Sequence, residues 1–343
     1  MTTSGTDHAP YVHRVSIVVP VYKGERTLPG LLEEIAPLTS DFTTADGHQA
    51  VVTEVILSHD NGPDGSDRVI RELSATHPFV KPVWLSRNFG QHAATLAGIA
   101  SSGGDWVVTM DEDGQHDPAF IGGLLDTALR ERAQIVYARP DNLPPHGFVR
   151  NTASKTAKRI LESLFGGGNA SEFNSFRLVI GDVARSVAAY SGNGVYLDVA
   201  LGWIARPAVT SPVTLREEGG RASGYSYRSL MAHFLRMILT SGTRGLRLVT
   251  VVGALFALAG VLFAVYLAVN RLAGGVDAEG WTSIMVLLSL GTGAILMSLG
   301  IVAEYLGVAV NAALGKPSYL IVRDPASGPL GHADPAPGPT SAP

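Results

Sequence analysis

Val107-Val108-Thr109-Met110-Asp111-Glu112-Asp113-Gly114-Gln115-His116-Asp117-Pro118 is the stretch from which the rest of the chain can be read. Its first half is a short apolar run with β-branched residues, the composition of a buried strand. Its second half gathers acids, then a Gln, a His and a Pro. Asp111 and Asp113 are two apart, so an extended backbone would turn both carboxylates to one face. They would repel each other there unless a cation lay between them. Hard oxygen donors of this kind suit Mg²⁺ or Mn²⁺, ions that often bridge to a phosphorylated substrate. A bare Asp-x-Asp is short and common, and acids after a strand equally describe a solvated turn. His116 could join the ligands or sit behind them, while Asp117 ahead of Pro118 has the form of a helix cap.

Working outward, the flanks favour the cation. Residues 15–20 and 51–57 are compact apolar runs that predict strands, as do 82–85, 135–138 and 175–180. Between them, 28–38, 68–76, 91–101 and 120–132 carry helical composition. Strands alternating with helices predict an α/β fold with a mostly parallel sheet, and such sheets bind ligands beyond the carboxyl ends of their strands. Asp60, Asp67 and the pair Asp111 and Asp113 would then line one crevice.

Composition bounds the rest. The chain has 343 residues, 46% hydrophobic and only 16% charged, so part of it is expected in lipid. A net charge of -4 gives no reason to expect a nucleic-acid partner. With Cys 0, thiol catalysis, disulfides and thiolate metal sites are excluded. Residues 1–13 are polar and read as a flexible leader without the apolar core of a signal peptide. Residues 248–269 and 284–303 contain no charged side chain, and each is long enough to cross a hydrocarbon core. Arg236, Arg244 and Arg247 precede the first run and Lys316 and Arg323 follow the second, whereas the loop between has only Arg271. The positive-inside rule places both termini in the cytoplasm and the loop outside. Residues 227–247, with Arg228, His233 and Arg236 among apolar residues, fit an amphipathic helix in the membrane interface or a linker. Gly291, Gly293 and Gly300 would allow close helix packing and so a homo-oligomer. Residues 311–343 form a cytoplasmic tail whose Pro-, Ala- and Gly-rich part, from about 324, reads as disordered.

Four stretches together carry a resemblance: Ser16-Ile17-Val18-Val19-Pro20-Val21-Tyr22, Arg87-Asn88-Phe89-Gly90 before its Ala-rich helix, Asp111 to Pro118, and Ala303-Glu304-Tyr305-Leu306-Gly307 with Gly315-Lys316-Pro317. Over about residues 14–323 the chain resembles the family 2 glycosyltransferases. Within them it is similar to the polyprenyl-phosphate glycosyltransferases typified by dolichol-phosphate mannose synthase and its bacterial relatives. The resemblance implies a Rossmann-like GT-A catalytic domain over 14–226. An interfacial helix (227–247) and two transmembrane helices (248–310) would follow, in a multi-pass protein of the inner or plasma membrane. It implies a metal-dependent hexosyltransferase-type enzyme of the cell envelope, with Mg²⁺ or Mn²⁺, a UDP- or GDP-sugar donor and a polyprenyl phosphate acceptor. Carried over, Pro20, Tyr22, Glu25 and Asp60 would hold the nucleoside, and Asp111, Asp113 and Gln115 the metal and diphosphate. Arg139 and Arg177 match basic positions near the phosphates, with Arg177, Asp111 and Asp113 the catalytic set. Arg150, Arg216, Ser223 and Tyr225 fall near the acceptor phosphate. The chain departs from the pattern at Lys23-Gly24, at His59-Asp60-Asn61-Gly62, and at Gly219-Gly220-Arg221-Ala222, which is one residue longer than the family's segment.

The chemistry is consistent with the residues. A phosphate monoester has a second pKa near about 6, so a lipid phosphate is already a nucleophile at neutral pH and needs no strong base. The departing diphosphate needs positive charge, and direct attack would invert the anomeric carbon. A lone Arg in an apolar strand, as at Arg177, requires an anionic partner, either a substrate phosphate or an internal carboxylate. A processive synthase would carry Gln-x-x-Arg-Trp before the first span, and that segment is absent. Transfer to a protein or saccharide, and a non-catalytic nucleotide-binding membrane subunit, remain alternatives.

Overall fold

The computed structural model describes residues 11–141, 174–191, 197–204, 208–216, 280–314 and 317–328, with 253–255, 258–263, 265, 266 and 269 between. Four parallel strands form its centre: β1 (Val12–Val21), β3 (Gln49–His59), β4 (Val80–Leu85) and β5 (Trp106–Thr109). They lie in the order β4-β3-β1-β5. Beyond β5 come β7 (Arg177–Ile180), β6 (Ile135–Pro140) and β8 (Ala208–Val213). Strand β7 runs antiparallel to both neighbours, and β6 and β8 pair in parallel. The short β2 (Phe42–Thr43) is antiparallel to β3. The sheet is thus mixed, with parallel pairing through its core.

Residues alternate between two faces along β1, as the strand period requires. Ile17 and Val19 enter one apolar cluster with α1 (Leu28–Ile35), α2 (Ser66–Thr76) and α4 (Ile121–Glu131). Val18 enters the other, with α3 (Gln91–Ala100), α5 (Gly181–Tyr190) and α6 (Leu197–Ile204). In α1 the buried residues Leu28, Leu31, Leu32 and Ile35 repeat at one-face helical spacing, behind a Pro in the first turn. Helices on both faces leave the carboxyl edge of the parallel strands open, and that edge carries the acidic loop.

Helix α7 (Trp281–Ala313) is different. At 33 residues it is about 50 Å long, more than a hydrocarbon core of about 30 Å. Ile284, Leu287, Leu288, Leu290, Ile295 and Leu296 are all exposed on it. Its Leu290–Gly307 window has a mean hydropathy of 1.4. Among the described residues it is the one helix long and apolar enough to cross a membrane. The described residues between 253 and 269 are helical. The interfacial segment at 227–247 lies outside the described residues.

After α7 the chain returns to the sheet. Strand β9 (Ile321–Val322) pairs antiparallel with β4, placing Val322 opposite Trp84 and Ile321 opposite Leu85. Residues up to Gly328 are placed against the domain, a docking not foreseen from the composition of the tail.

Candidate active site

Beyond β5 the chain does not stay extended. Glu112, Asp113 and Gly114 turn, with Gly114 at φ +77°, so Asp111 and Asp113 do not share a strand face. The turn is held from inside. Asp111 N–H donates to His116 Nδ1 at 3.0 Å, and Gln115 N–H donates to Asp113 Oδ1 at 3.0 Å. His116 is buried and stacked on Phe176 at 5.1 Å between ring centroids. Burial lowers the imidazole pKa, against an upward pull from Asp111 and Asp113, so the ring stays neutral and Nδ1 stays an acceptor. Its task is to fix Asp111. Asp117 caps the short 3₁₀ turn Pro118–Phe120 through Ala119 N–H at 2.9 Å, as the Asp-Pro pair suggested.

Asp111 itself is aimed by two neighbours. Gln91 Nε2 donates to Oδ1 and Ser175 Oγ to Oδ2, both at 2.6 Å. Each carboxylate oxygen keeps acceptor capacity for a further partner. Beneath Asp111 opens a pocket of about 170 Å³ lined by Pro20, His92, Thr95, Asn174 and Asp198.

The loops around this pocket are tied into a ring, largely by carboxylates that bind backbone amides. Glu112 accepts from Tyr22 N–H (2.9 Å) and Lys23 N–H (2.8 Å), joining the β5 loop to the β1 loop. Asp64 accepts from Glu25 N–H (3.2 Å), and Glu25 accepts from Gly65 N–H (3.1 Å), joining the β1 loop to the β3 loop. Gly62 belongs to this closure, because a Cβ there would lie 1.7 Å from Tyr22 O. Asp60 accepts from Phe89 N–H (2.7 Å) and Gly90 N–H (2.8 Å), joining the β3 loop to the β4 loop. Gly90 sits at φ +94°, a conformation that side-chain-bearing residues rarely adopt. Gln91 then closes the ring on Asp111. Carboxylate-to-amide bonds of this kind are stronger than neutral ones.

The ring changes the account of several expected site residues. Asp60 and Glu25, expected at the nucleoside, spend their oxygens on the rim. Asp60 is 2% exposed, and burial raises its pKa while the two amides and Arg87 oppose that. Tyr22 stays 41% exposed at the mouth and Pro20 lines the pocket. Asp67 does not face Asp111. It pairs with Arg71 at 2.8 Å and lines a second cavity of about 700 Å³ at the β3 and β4 ends, so the acids do not share a single crevice.

Arg177 is 3% exposed on β7. Its Nε donates to Thr109 Oγ1 at 3.0 Å, its Nη1 contacts Asp198 on α6, and its guanidinium lies 5.9 Å from the Tyr137 ring. Of the two partners expected for it, the internal carboxylate is present. Burial pulls its pKa below the usual arginine range, opposed by Tyr137 and Asp111. Asp198 was missed from sequence, though an acid in the first turn of an otherwise apolar helix was the available sign. Arg216 bridges Glu34 and Asp117, each at 2.7 Å, and its N–H donates to Gln115 O at 3.1 Å. It buttresses the acidic loop from behind. Arg139 is exposed at the end of β6. Arg150, Ser223 and Tyr225 lie outside the described residues.

Among the described residues no three His, Asp or Glu side chains converge on one point. Asp111 and Asp113 instead offer the one or two carboxylates that Mg²⁺ uses when substrate phosphates and waters complete its shell. Of Gln115, the main chain is engaged within the loop. The donor set fits a hard cation carried in with a diphosphate.

Comparison with known proteins gives the following. Residues 16–187 match Glycosyl transferase family 2. Undecaprenyl-phosphate 4-deoxy-4-formamido-L-arabinose transferase of Klebsiella pneumoniae (strain 342) is 31% identical over 320 residues, 92% of this chain and 94% of that protein. Its namesake from Proteus mirabilis (strain HI4320) is 29% identical over 313 residues, 90% and 93% of the two. Among solved structures, glucosyl-3-phosphoglycerate synthase from Mycobacterium tuberculosis, in complex with Mn²⁺, UDP-glucose and phosphoglyceric acid, aligns over 68% of this chain and 79% of that one. The TM-score is 0.48 at 18% identity.

Proposed function

The chain belongs to glycosyl transferase family 2, and from that premise we propose that it moves a sugar from a nucleotide-sugar to a polyprenyl phosphate at the cytoplasmic membrane face. The observation that carries the lipid acceptor is the return of the chain from α7 to β4, the strand whose following loop leads to Gln91 and its bond to Asp111. One polypeptide thereby joins a diphosphate-type crevice to a helix suited to lipid. The relatives named above, matched over nine-tenths of the chain, act on undecaprenyl phosphate by name.

The same return supports two spans. Residues before 217 and after 317 meet in one sheet, so the segment between them crosses the membrane an even number of times. With α7 as one crossing, the uncharged run 248–269 is the length needed for the other. Arginines ahead of it and Lys316 and Arg323 behind α7 favour a cytoplasmic catalytic domain. We retain 227–247 as the interfacial segment, with Arg150, Ser223 and Tyr225 on the acceptor side.

In the reaction, a phosphate oxygen of the lipid attacks the anomeric carbon as the bond from that carbon to the nucleoside diphosphate breaks, with inversion. Asp111, aimed by Gln91 and Ser175, and Asp113 would hold Mg²⁺ or Mn²⁺ together with Gln115. When bound, the metal would neutralise the departing diphosphate. Tyr22, Pro20 and the rigid rim orient the nucleoside end, and Arg139 adds positive charge at the mouth. Arg177 keeps its charge under Asp111 by pairing with Asp198, giving the pocket a fixed field that needs no rearrangement during transfer.

The test incubates membranes containing the protein with UDP- and GDP-sugars plus polyprenyl phosphate, then analyses the extracted lipid by mass spectrometry. A sugar-phosphate-polyprenyl product with inverted configuration is expected. Transfer that proceeds equally without polyprenyl phosphate, to protein or saccharide, would overturn the lipid-acceptor reading, and retained configuration would overturn single displacement.

A further inference from the structure

We propose that the segment following the membrane helix, residues 317–328, is a positioning element for the donor side of the crevice, clasped in place by Asp324 and Arg71. The proposal goes beyond the activity given above and rests on it for the kinetic part of its test.

The segment is bonded to the domain along its length. Ser318 Oγ donates to Ser191 O at 3.2 Å. Strand β9 covers the exposed edge of β4, an edge that would otherwise present unpaired backbone groups. Ser86 N–H donates to Leu320 O at 3.0 Å, carrying the pairing one residue past β4 into its loop. A two-residue strand is weak alone, and the clasp reinforces it. Arg71 Nε donates to both oxygens of Asp324 (3.0 and 2.9 Å) and Nη2 to Oδ1 (2.9 Å). The same guanidinium lies 5.0 Å over the Trp84 ring and pairs with Asp67. Planar fork-to-carboxylate pairing is directional, so it fixes orientation as well as distance.

From Ser86 the path to the reacting end is short. Three and four residues on, the Phe89 and Gly90 amides are held by Asp60, and the next residue, Gln91, aims Asp111. Among the described residues Phe89, Gly90 and Gln91 share no hydrogen bond with the 317–328 segment, while Phe89 and Tyr319 pack against one apolar cluster, so an effect on them passes through the β4 loop and that cluster. Leaving β4 with a free edge would let that loop, which turns at a positive-φ glycine, sample other arrangements. The segment starts at the cytoplasmic end proposed for α7, which makes the crevice geometry depend on the membrane anchor.

The test uses the full chain in membranes or nanodiscs, with Asp324→Asn and Asp324→Glu. Hydrogen exchange is followed in the peptide spanning residues 86–91, and steady-state kinetics for each substrate. Asp324→Asn is expected to speed exchange at Phe89 and Gly90 at least fivefold. It should also lower kcat/KM for the nucleotide-sugar at least fivefold, while KM for polyprenyl phosphate stays within twofold. Asp324→Glu should recover at least half of the loss. If exchange changes only at Ser86, or if both substrates are affected equally, the segment is merely structural and the proposal fails. Absence of any lipid-linked product from the wild-type chain would sink the proposed function instead, and the exchange measurement still judges the clasp.

Discussion

Asp198 and Arg177 show how a buried charge is decided by its counter-charge. Both are almost removed from water, at 14% and 4% side-chain exposure. Removing one member of such a pair strands the other, typically at about 3–5 kcal/mol. Asp198→Ala is therefore expected to destabilise the catalytic domain by about that amount in chemical unfolding, and Asp198→Asn by less. Gln91 belongs to the same scale and, under the metal role proposed for Asp111, to catalysis. It bonds Asp111 from a helix N-terminus, and loss of such an outer partner typically lowers metal affinity or activity about 10–100-fold. Gln91→Ala should do so with unchanged thermal stability, measured as transfer rate against metal concentration. The sequence showed that Asp60, Glu25 and Glu112 were acids near strand ends. It did not show that their oxygens would be taken by amides of other loops, because each amide comes from a loop distant in sequence.

Elements were largely legible, because hydrophobic period and turn residues are local. The runs at 15–20, 51–57 and 82–85 became β1, β3 and β4, and the alternation of Ile17, Val18 and Val19 sent them to opposite faces. Less visible was the buried carboxylate that ties three strands together. Glu54 on β3 is 3% exposed, meets Lys81 of β4, and accepts from Ser16 Oγ and Gly103 N–H, both at 2.6 Å. Burial pushes its carboxyl up, but Lys81, Ser16 and Gly103 together leave it below the usual glutamate value. A carboxylate depressed in the folded state stabilises above its unfolded pKa of about 4.3, and that share is lost as pH falls through the lower folded value. Tm of the wild type should therefore drop more steeply below about pH 4.3 than that of Glu54→Gln, which lacks this titration. Equal slopes in the two proteins would refute the assignment.

At the scale of the molecule, the sheet constrains the topology proposed for the apolar segments. Chain ends that meet in one sheet must share a side of the bilayer. Having no cysteine, the chain can report this through single introduced thiols. Ser327→Cys is expected to be shielded from an impermeant maleimide in intact cells, and Val276→Cys in the intervening loop to be labelled. Reversed labelling would overturn the orientation. The sequence by itself determined the α/β class, the family, the apolar runs and the position of an acidic loop after a strand, since these are written in local period, composition and contiguous motifs. Only the tertiary structure decided that Asp111 and Asp113 sit on a turn and that Asp60 and Glu25 brace the rim. It alone paired Arg177 with Asp198 and brought residue 324 back to residue 71. Those outcomes depend on partners far apart in the chain, and a charge or an amide chooses among such partners only once folding has brought them within hydrogen-bond reach.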